Sequence, residues 1–155
     1  LEMIGGRCVR VPSIEAINVE LESLPVYAAA KQTVSRVPGA GASTVDLDAI
    51  DDPHRLEDID FAMLPGELAV AENAAIWVHD GGLKHRVIYF LCQHLAFVVR
   101  AENVLHNMHQ AYERLTFTER RFGAFIAGPS KTADVEQSLV IGAHGARSLT
   151  VFVVG

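Results

Sequence analysis

Cysteine is scarce in this sequence, and the two that occur, Cys8 and Cys92, stand far apart. With no C-x-x-C pair and no framework spacing, neither a disulfide scaffold nor an iron–sulfur cluster is expected, and a reducing cytoplasm fits best. Basic residues are also few. Thirteen lysines and arginines against nineteen aspartates and glutamates give a formal net charge of −6. Nucleic-acid binding needs a basic footprint, so that class is excluded. The acidic excess is concentrated where Asp46, Asp48, Asp51, Asp52, Glu57, Asp58 and Asp60 face only Arg55. Long hydrophobic runs are missing too. The longest, Val87 to Val99, is broken by Gln93 and His94, short of the ~18 apolar residues that suggest a membrane span. No basic segment followed by an apolar run opens the chain, so no membrane partner is expected. The chain begins on Leu1 rather than an initiator methionine, and an upstream helical segment is expected to be missing.

What is present suits one globular domain covering residues 1–155. Half of the residues are hydrophobic and 21% are charged, too apolar for a disordered chain. Gly6 to Val11 reads as a short strand, and Ser13 is placed to cap an amphipathic helix carrying Ile14, Ile17 and Leu21. Thr33 to Val37 can form another strand before the turn-rich stretch from Pro38 to Ser43. Further on, Ala74 to Val78, Leu95 to Val99, Gly123 to Ala127 and Leu149 to Val154 read as strands. Helices are expected over Leu83–Leu91, Ala101–Leu115 and Thr132–Leu139. Continuous apolar strands alternating with helices define an α/β class, a mostly parallel sheet flanked by helices. Ligands in such sheets collect beyond the carboxyl ends of the strands, here the loops after Val78, Val99 and Ala127.

The most distinctive segment is GPSKTADVEQSLVIGAHG, from Gly128 to Gly145. A strand, a turn at Gly128 and a helix opening at Ser130-Lys131-Thr132 would offer free backbone N–H groups, two hydroxyls and a lysine to a carboxylate or phosphate. The plainer reading is a capped helix, with Asp134 and Glu136 favouring its positive end. His144, framed by Gly142 and Gly145, sits where the backbone can approach a ligand and can titrate near neutrality, and Arg147 adds a cation. A tight turn explains the same residues. The segment is not a Walker A loop, because Pro129-Ser130 separates Gly128 from Lys131.

The order GPSKTAD-x-E, then G-x-HG, then an apolar closing strand resembles the end of LUD-domain proteins of the lactate-utilisation C type. A weaker likeness runs from Glu67 to Ile76. There Glu72 matches the family's glutamate, while Asn73, Ala74 and Ala75 stand in place of its Thr-Gly-Thr. The resemblance spans roughly Phe61 to Val154. It implies a NagB/RpiA/CoA-transferase-like fold and membership of a three-protein system that oxidises L-lactate to pyruvate. It further implies the cluster-free member, with no cofactor of its own, whose partners are a small organic acid or phosphate-bearing ligand and the iron–sulfur subunits.

Two functions from different classes follow. The first is a cytoplasmic accessory component that binds a small carboxylate or its partner subunits, with Ser130, Lys131, Thr132 and Arg147 as anion contacts and Gly128, Asp134, Glu136, Gly142 and Gly145 in support. The second is an enzyme. Ala71-Glu72-Asn73 resembles the Glu-Asn part of the CoA-transferase motif, which implies Glu72 as a carboxylate nucleophile, with His144 as a second catalytic candidate. The commoner role for such a glutamate is a structural hydrogen bond. No metal is expected. The weak alternative is His106 and His109, flanked by Glu102 and Glu113 on one side of the expected Ala101–Leu115 helix, a pattern that a solvated face explains as well. His79 can line the crevice but commonly closes a turn, His85 and His94 read as boundary residues, and Trp77 as core.

Overall fold

The computed structural model describes residues 1–116, 122–132, 140–141 and 145–155. Strand β1 (Arg7–Val11) leads to Ser13, whose Oγ accepts from the Ala16 N–H at 3.3 Å and starts helix α1 (Ala16–Glu22). Ile17 and Leu21 are buried on its inner face, as their spacing requires. A short helix α2 (Pro25–Ala28) opens with proline at its first position and is followed by β2 (Thr33–Ser35). The acidic stretch then winds through two 3-10 turns, Leu47–Ala49 and Pro53–Asp58. Asp46 and Asp52 cap these turns, accepting from the Asp48 and His54 N–H groups, each at 3.0 Å. Leu47, Ile50, Leu56 and Ile59 reach the core between them. The acidic side chains thus cap and tether a loop whose apolar residues face inward.

The chain continues through β3 (Phe61–Pro65), β4 (Leu68–Val70), β5 (Ala75–His79), α3 (Ile88–Leu91), β6 (His94–Arg100), β7 (Val104–Leu105) and α4 (Met108–Arg114). Strands β8 (Gly123–Ile126), β9 (Lys131–Thr132), β10 (Val140–Ile141) and β11 (Ser148–Val154) follow. Five strands form an all-parallel sheet in the order β1-β11-β6-β3-β2, the mostly parallel α/β sheet expected from the sequence.

Alternate residues of its central strands feed two cores. Phe61, Met63, Ala96, Val98 and Phe152 pack with Ile17, Leu21 and Leu24 of the α1–α2 layer. Ala62, Leu64, Leu95, Phe97, Val99, Val151 and Val153 face the other way, onto Ala69, Ile76 and Val78. That second layer is itself a sheet, β7-β4-β5-β8, antiparallel except for the β4–β7 pair. Strands Ala75–His79 and Gly123–Ile126, read from sequence as members of the parallel sheet, belong here instead. Short apolar runs such as AIWV and GAFI read alike in either sheet, so the sequence pattern does not separate them.

Two expected helices are shorter than their periodicity suggested. In place of Leu83–Leu91 only Ile88–Leu91 is helical. In place of Ala101–Leu115 there is a 3-10 turn at Ala101–Asn103, then β7, then α4. Asn107 sits at φ −145° and its Oδ1 accepts from the Gln110 N–H at 3.0 Å, so helix α4 starts there. Val104 and Leu105 pair with β4 at its open edge, leaving Tyr112 56% exposed.

The β4–β5 turn contains Ala74 at φ 57°, a left-handed conformation that a Cβ disfavours. Ala74→Gly is expected to raise the unfolding free energy by about 0.5–1 kcal/mol, the relief of Cβ strain offsetting the entropy glycine adds to the unfolded chain. A higher urea midpoint at unchanged slope would show it, and a lower midpoint would contradict it.

Candidate functional site

The segment singled out from sequence has a different local structure from the one expected. Gly128 follows β8 at φ 74°, and a Cβ there would lie 3.1 Å from Ile4. Pro129 is buried, and the Ser130 N–H donates to the Ala146 carbonyl at 2.9 Å. Lys131–Thr132 then pair antiparallel with Val140–Ile141, so Ser130-Lys131-Thr132 do not open a helix but enter a strand. The Ser130 N–H is therefore committed to the fold. Gly145 is pressed against Ser130, and the Lys131 Nζ lies 3.5 Å from the place a side chain on Gly5 would occupy. Asp134, Glu136, Gly142 and His144 lie outside the described residues, as does most of the Thr132–Leu139 stretch.

Glu72 sits exposed in the β4–β5 turn, where its Oε2 accepts from the Met108 N–H at 3.2 Å. Its own N–H donates to the His106 carbonyl at 3.1 Å. The carboxylate thereby fixes the start of α4, at the end where a negative charge is favourable. His106 lies in the loop before α4 and His109 upon it, while Glu102 belongs to the preceding 3-10 turn. The four residues of the metal alternative therefore do not share a helix, and no group of three or more His, Cys, Asp or Glu able to hold a metal occurs among the described residues.

Arg147 lines an open cleft of about 740 Å³ at the amino ends of the parallel strands, together with Lys31, Asp60, Gln93 and His94. Asp60 and His94 here serve the fold. Asp60 Oδ2 accepts from the backbone N–H groups of Lys31 and Gln32 at 2.7 and 2.9 Å, and those bonds hold its carboxyl below the usual aspartate range. His94 Nδ1 lies 2.8 Å from Ser148 Oγ, tying β6 to β11 at their first residues. Burial, and then the Arg147 charge, push its pKa down, so the ring is held neutral.

At the opposite end, beyond the carboxyl ends of β2, β3, β6 and β11, lie two adjoining clefts of about 390 and about 190 Å³ that share Arg36, Pro65 and Gly66. This is the crevice where open parallel sheets collect ligands. Arg36 follows β2 directly and lines both. Its Nη2 pairs with Asp48, its Nε is buried without a partner, and Nη1 has no protein partner among the described residues. An unsatisfied buried N–H commonly marks a place completed by water or ligand. Exposed Arg100 adds a second cation to the smaller cleft.

The larger cleft also holds His79 and Glu67, with Nε2 and Oε2 3.7 Å apart. The Gly81 N–H donates to His79 Nδ1 at 2.9 Å, which leaves the ring hydrogen on Nε2, facing Glu67. Tyr89 donates its hydroxyl to the His79 carbonyl at 2.9 Å, and burial pushes that phenol up to about 12, so it stays a donor. A Cβ on Gly81 would lie 2.5 Å from His79 Cε1, so the ring edge packs closely against Gly81 and a side chain there would displace it.

Of the loops favoured from sequence, that after Val78 does line this crevice, and Arg100, directly after Val99, does too. Ala127 leads elsewhere. Arg36 and Glu67 were not singled out as site residues. A cation one residue beyond a strand and before the turn-forming Pro38-Gly39 was the signal available for Arg36.

A parallel sheet layered between helices and a second sheet, with a polar crevice at its carboxyl edge, defines an α/β domain. Residues 11–154 match the family model described as the LUD domain, and the chain belongs to that family. It is 27% identical over 132 residues to lactate utilization protein C of Geobacillus thermodenitrificans, covering 81% of this chain and 52% of that protein. It is 30% identical over 105 residues to lactate utilization protein C 1 of Bacillus mycoides, covering 57% and 43%. The chain thus spans about half the length of the curated relatives it matches. The crystal structure of a DUF162 family protein from Deinococcus radiodurans superposes with a TM-score of 0.72 over 98% of this chain and 90% of that one, at 17% identity. That likeness shows the fold.

Asp60→Ala removes the acceptor for two N–H groups and is expected to cost about 1 kcal/mol at neutral pH, after allowing for solvent screening. Because the folded-state pKa is lowered, the contribution is present above the unfolded value near 4 and fades as pH falls through the folded one. Denaturation at pH 7 and at pH 2.5 should show the variant's deficit shrinking in acid, and a deficit that grows in acid would contradict the assignment.

Proposed function

We propose that this domain serves a lactate-utilisation system as a cluster-free component that binds a small organic acid, and through it or beside it the iron–sulfur subunits that carry electrons. Two findings support the reading. The relatives that share its sequence are named for lactate utilisation, and the crevice at the carboxyl edge of the sheet is lined by Arg36, which has donors without a partner among the described residues. The second carries the most weight, because a guanidinium lining a cleft is suited to a carboxylate. Ser130, Lys131, Thr132 and Arg147 are a further candidate set of anion contacts.

The cysteines suit a cluster-free part in a reducing cytoplasm. Cys8 is exposed and Cys92 is buried, its thiol pushed up to about 12 by burial, so it stays protonated at neutral pH. No helix among the described residues is long and apolar enough to cross a membrane.

The alternative is acyl transfer through Glu72. It requires the carboxylate to leave the Met108 N–H it now accepts from. Incubation with an acyl-CoA followed by mass spectrometry would reveal a glutamyl adduct if that chemistry occurs. For the binding reading, calorimetric titration with L-lactate and pyruvate is paired with capture of purified iron–sulfur subunits on the immobilised protein. Saturable binding in at least one arm is expected, and absence of both overturns the proposal.

A further inference from the structure

We propose that the crevice between Arg36 and the His79–Glu67 pair is a site for a small hydroxy-carboxylate and prefers the hydroxy acid to its oxo counterpart. This inference rests on the organic-acid reading above and assigns its residues. The carboxylate belongs at Arg36, where Asp48 engages Nη2 and leaves Nη1 to a ligand. A planar guanidinium steadied by one carboxylate presents its remaining donors in fixed directions.

The hydroxyl belongs beside the His79–Glu67 pair, on the cleft side and within hydrogen-bond reach of both. Their 3.7 Å separation is longer than a direct hydrogen bond. One side of that gap offers a donor, Nε2–H, because Gly81 occupies the other ring nitrogen. The other side offers an acceptor, the Glu67 carboxylate. A hydroxyl satisfies both at once, accepting from His79 and donating to Glu67. A keto oxygen accepts from His79 but has no hydrogen to give, and its lone pairs then face the carboxylate. A site built to pair a hydroxyl discriminates more sharply than an apolar pocket does.

The surrounding residues fix this geometry. Tyr89 holds the His79 carbonyl from inside the core, and at φ +76° Gly82 takes a conformation that side-chain-bearing residues rarely adopt. Pro65 and Gly66 also line the cavity, whose volume of about 390 Å³ has ample room for a three-carbon acid.

The test is calorimetric titration of the full chain with L-lactate, pyruvate and propionate, which differ in the one oxygen at issue. L-Lactate is expected to bind about tenfold more tightly than either analogue, the order of one charge-assisted hydrogen bond. Glu67→Ala, at a half-exposed position that does not carry the core, is expected to bring lactate down to the level of pyruvate. Arg36→Gln is expected to weaken all three ligands by about tenfold or more, and Arg36→Lys, which keeps a charge beside Asp48, to lie between. Equal binding of lactate and pyruvate overturns the proposal, as does a preference that survives Glu67→Ala. Should lactate bind and the loss follow Lys131→Gln or Arg147→Gln while Arg36→Gln binds normally, this site is overturned and the broader organic-acid reading stands. Should none of the three acids bind, the site and the carboxylate arm of that reading both fall.

Discussion

The two sheets meet at Gly66, and the crevice depends on how closely they meet. A Cβ at that position would lie 2.6 Å from Ile76 Cγ2 and 2.8 Å from Val99 Cγ2, so the backbone itself fills the contact. Its N–H donates to the Val98 carbonyl at 2.9 Å, and the next residue, Glu67, donates to the Trp77 carbonyl at 3.0 Å. Within two residues the chain leaves the parallel sheet and joins the second one. That handover sets β5 across the face of β6 and brings His79 near the carboxyl end of β3. A larger residue at 66 would part the sheets and open the crevice that Pro65, Gly66 and Glu67 line.

The two ends of the parallel sheet are chemically unlike. At the amino ends, Asp60, His94, Ser148 and the Gln93 carbonyl are tied to neighbouring backbone and side chains. At the carboxyl ends, Arg36 keeps donors without a protein partner among the described residues, and His79 faces Glu67 at 3.7 Å. The proposed ligand crevice thus lies at the end where open α/β sheets usually bind, away from the bonded amino ends.

Strands with long apolar runs were legible in the sequence. His94–Arg100 and Ser148–Val154 are central in the sheet, and their continuous burial is what periodicity detects. Phe61–Pro65 was not legible, because it follows the acidic stretch directly and ends in proline. Val104, Leu105, Met108 and Tyr112 recur at helical spacing, yet a strand and a helix share them, since the open edge of β4 competes for Val104–Leu105. The signature at Gly128–Gly145 identified the family, while its described residues serve largely to seat the N-terminal turn and pair strands. The site residues were harder to see. Arg36 had only its place between a strand and a turn to mark it, and His79 and Glu67 lie twelve positions apart, joined only when β4 and β5 pair. Sequence order thus told which family this is, and pairing of the second sheet brings together the residues of the proposed site.

The most direct measurement of the central claim is amide chemical-shift mapping of the labelled chain as L-lactate is added. Saturable shifts clustered at Gly66, Glu67, His79, Gly81 and Gly82 are expected, together with the Arg36 side-chain Nε–H. Shifts confined to Ser130–Thr132 and Gly145–Arg147, or none at all, would contradict a ligand crevice at the carboxyl edge of the sheet.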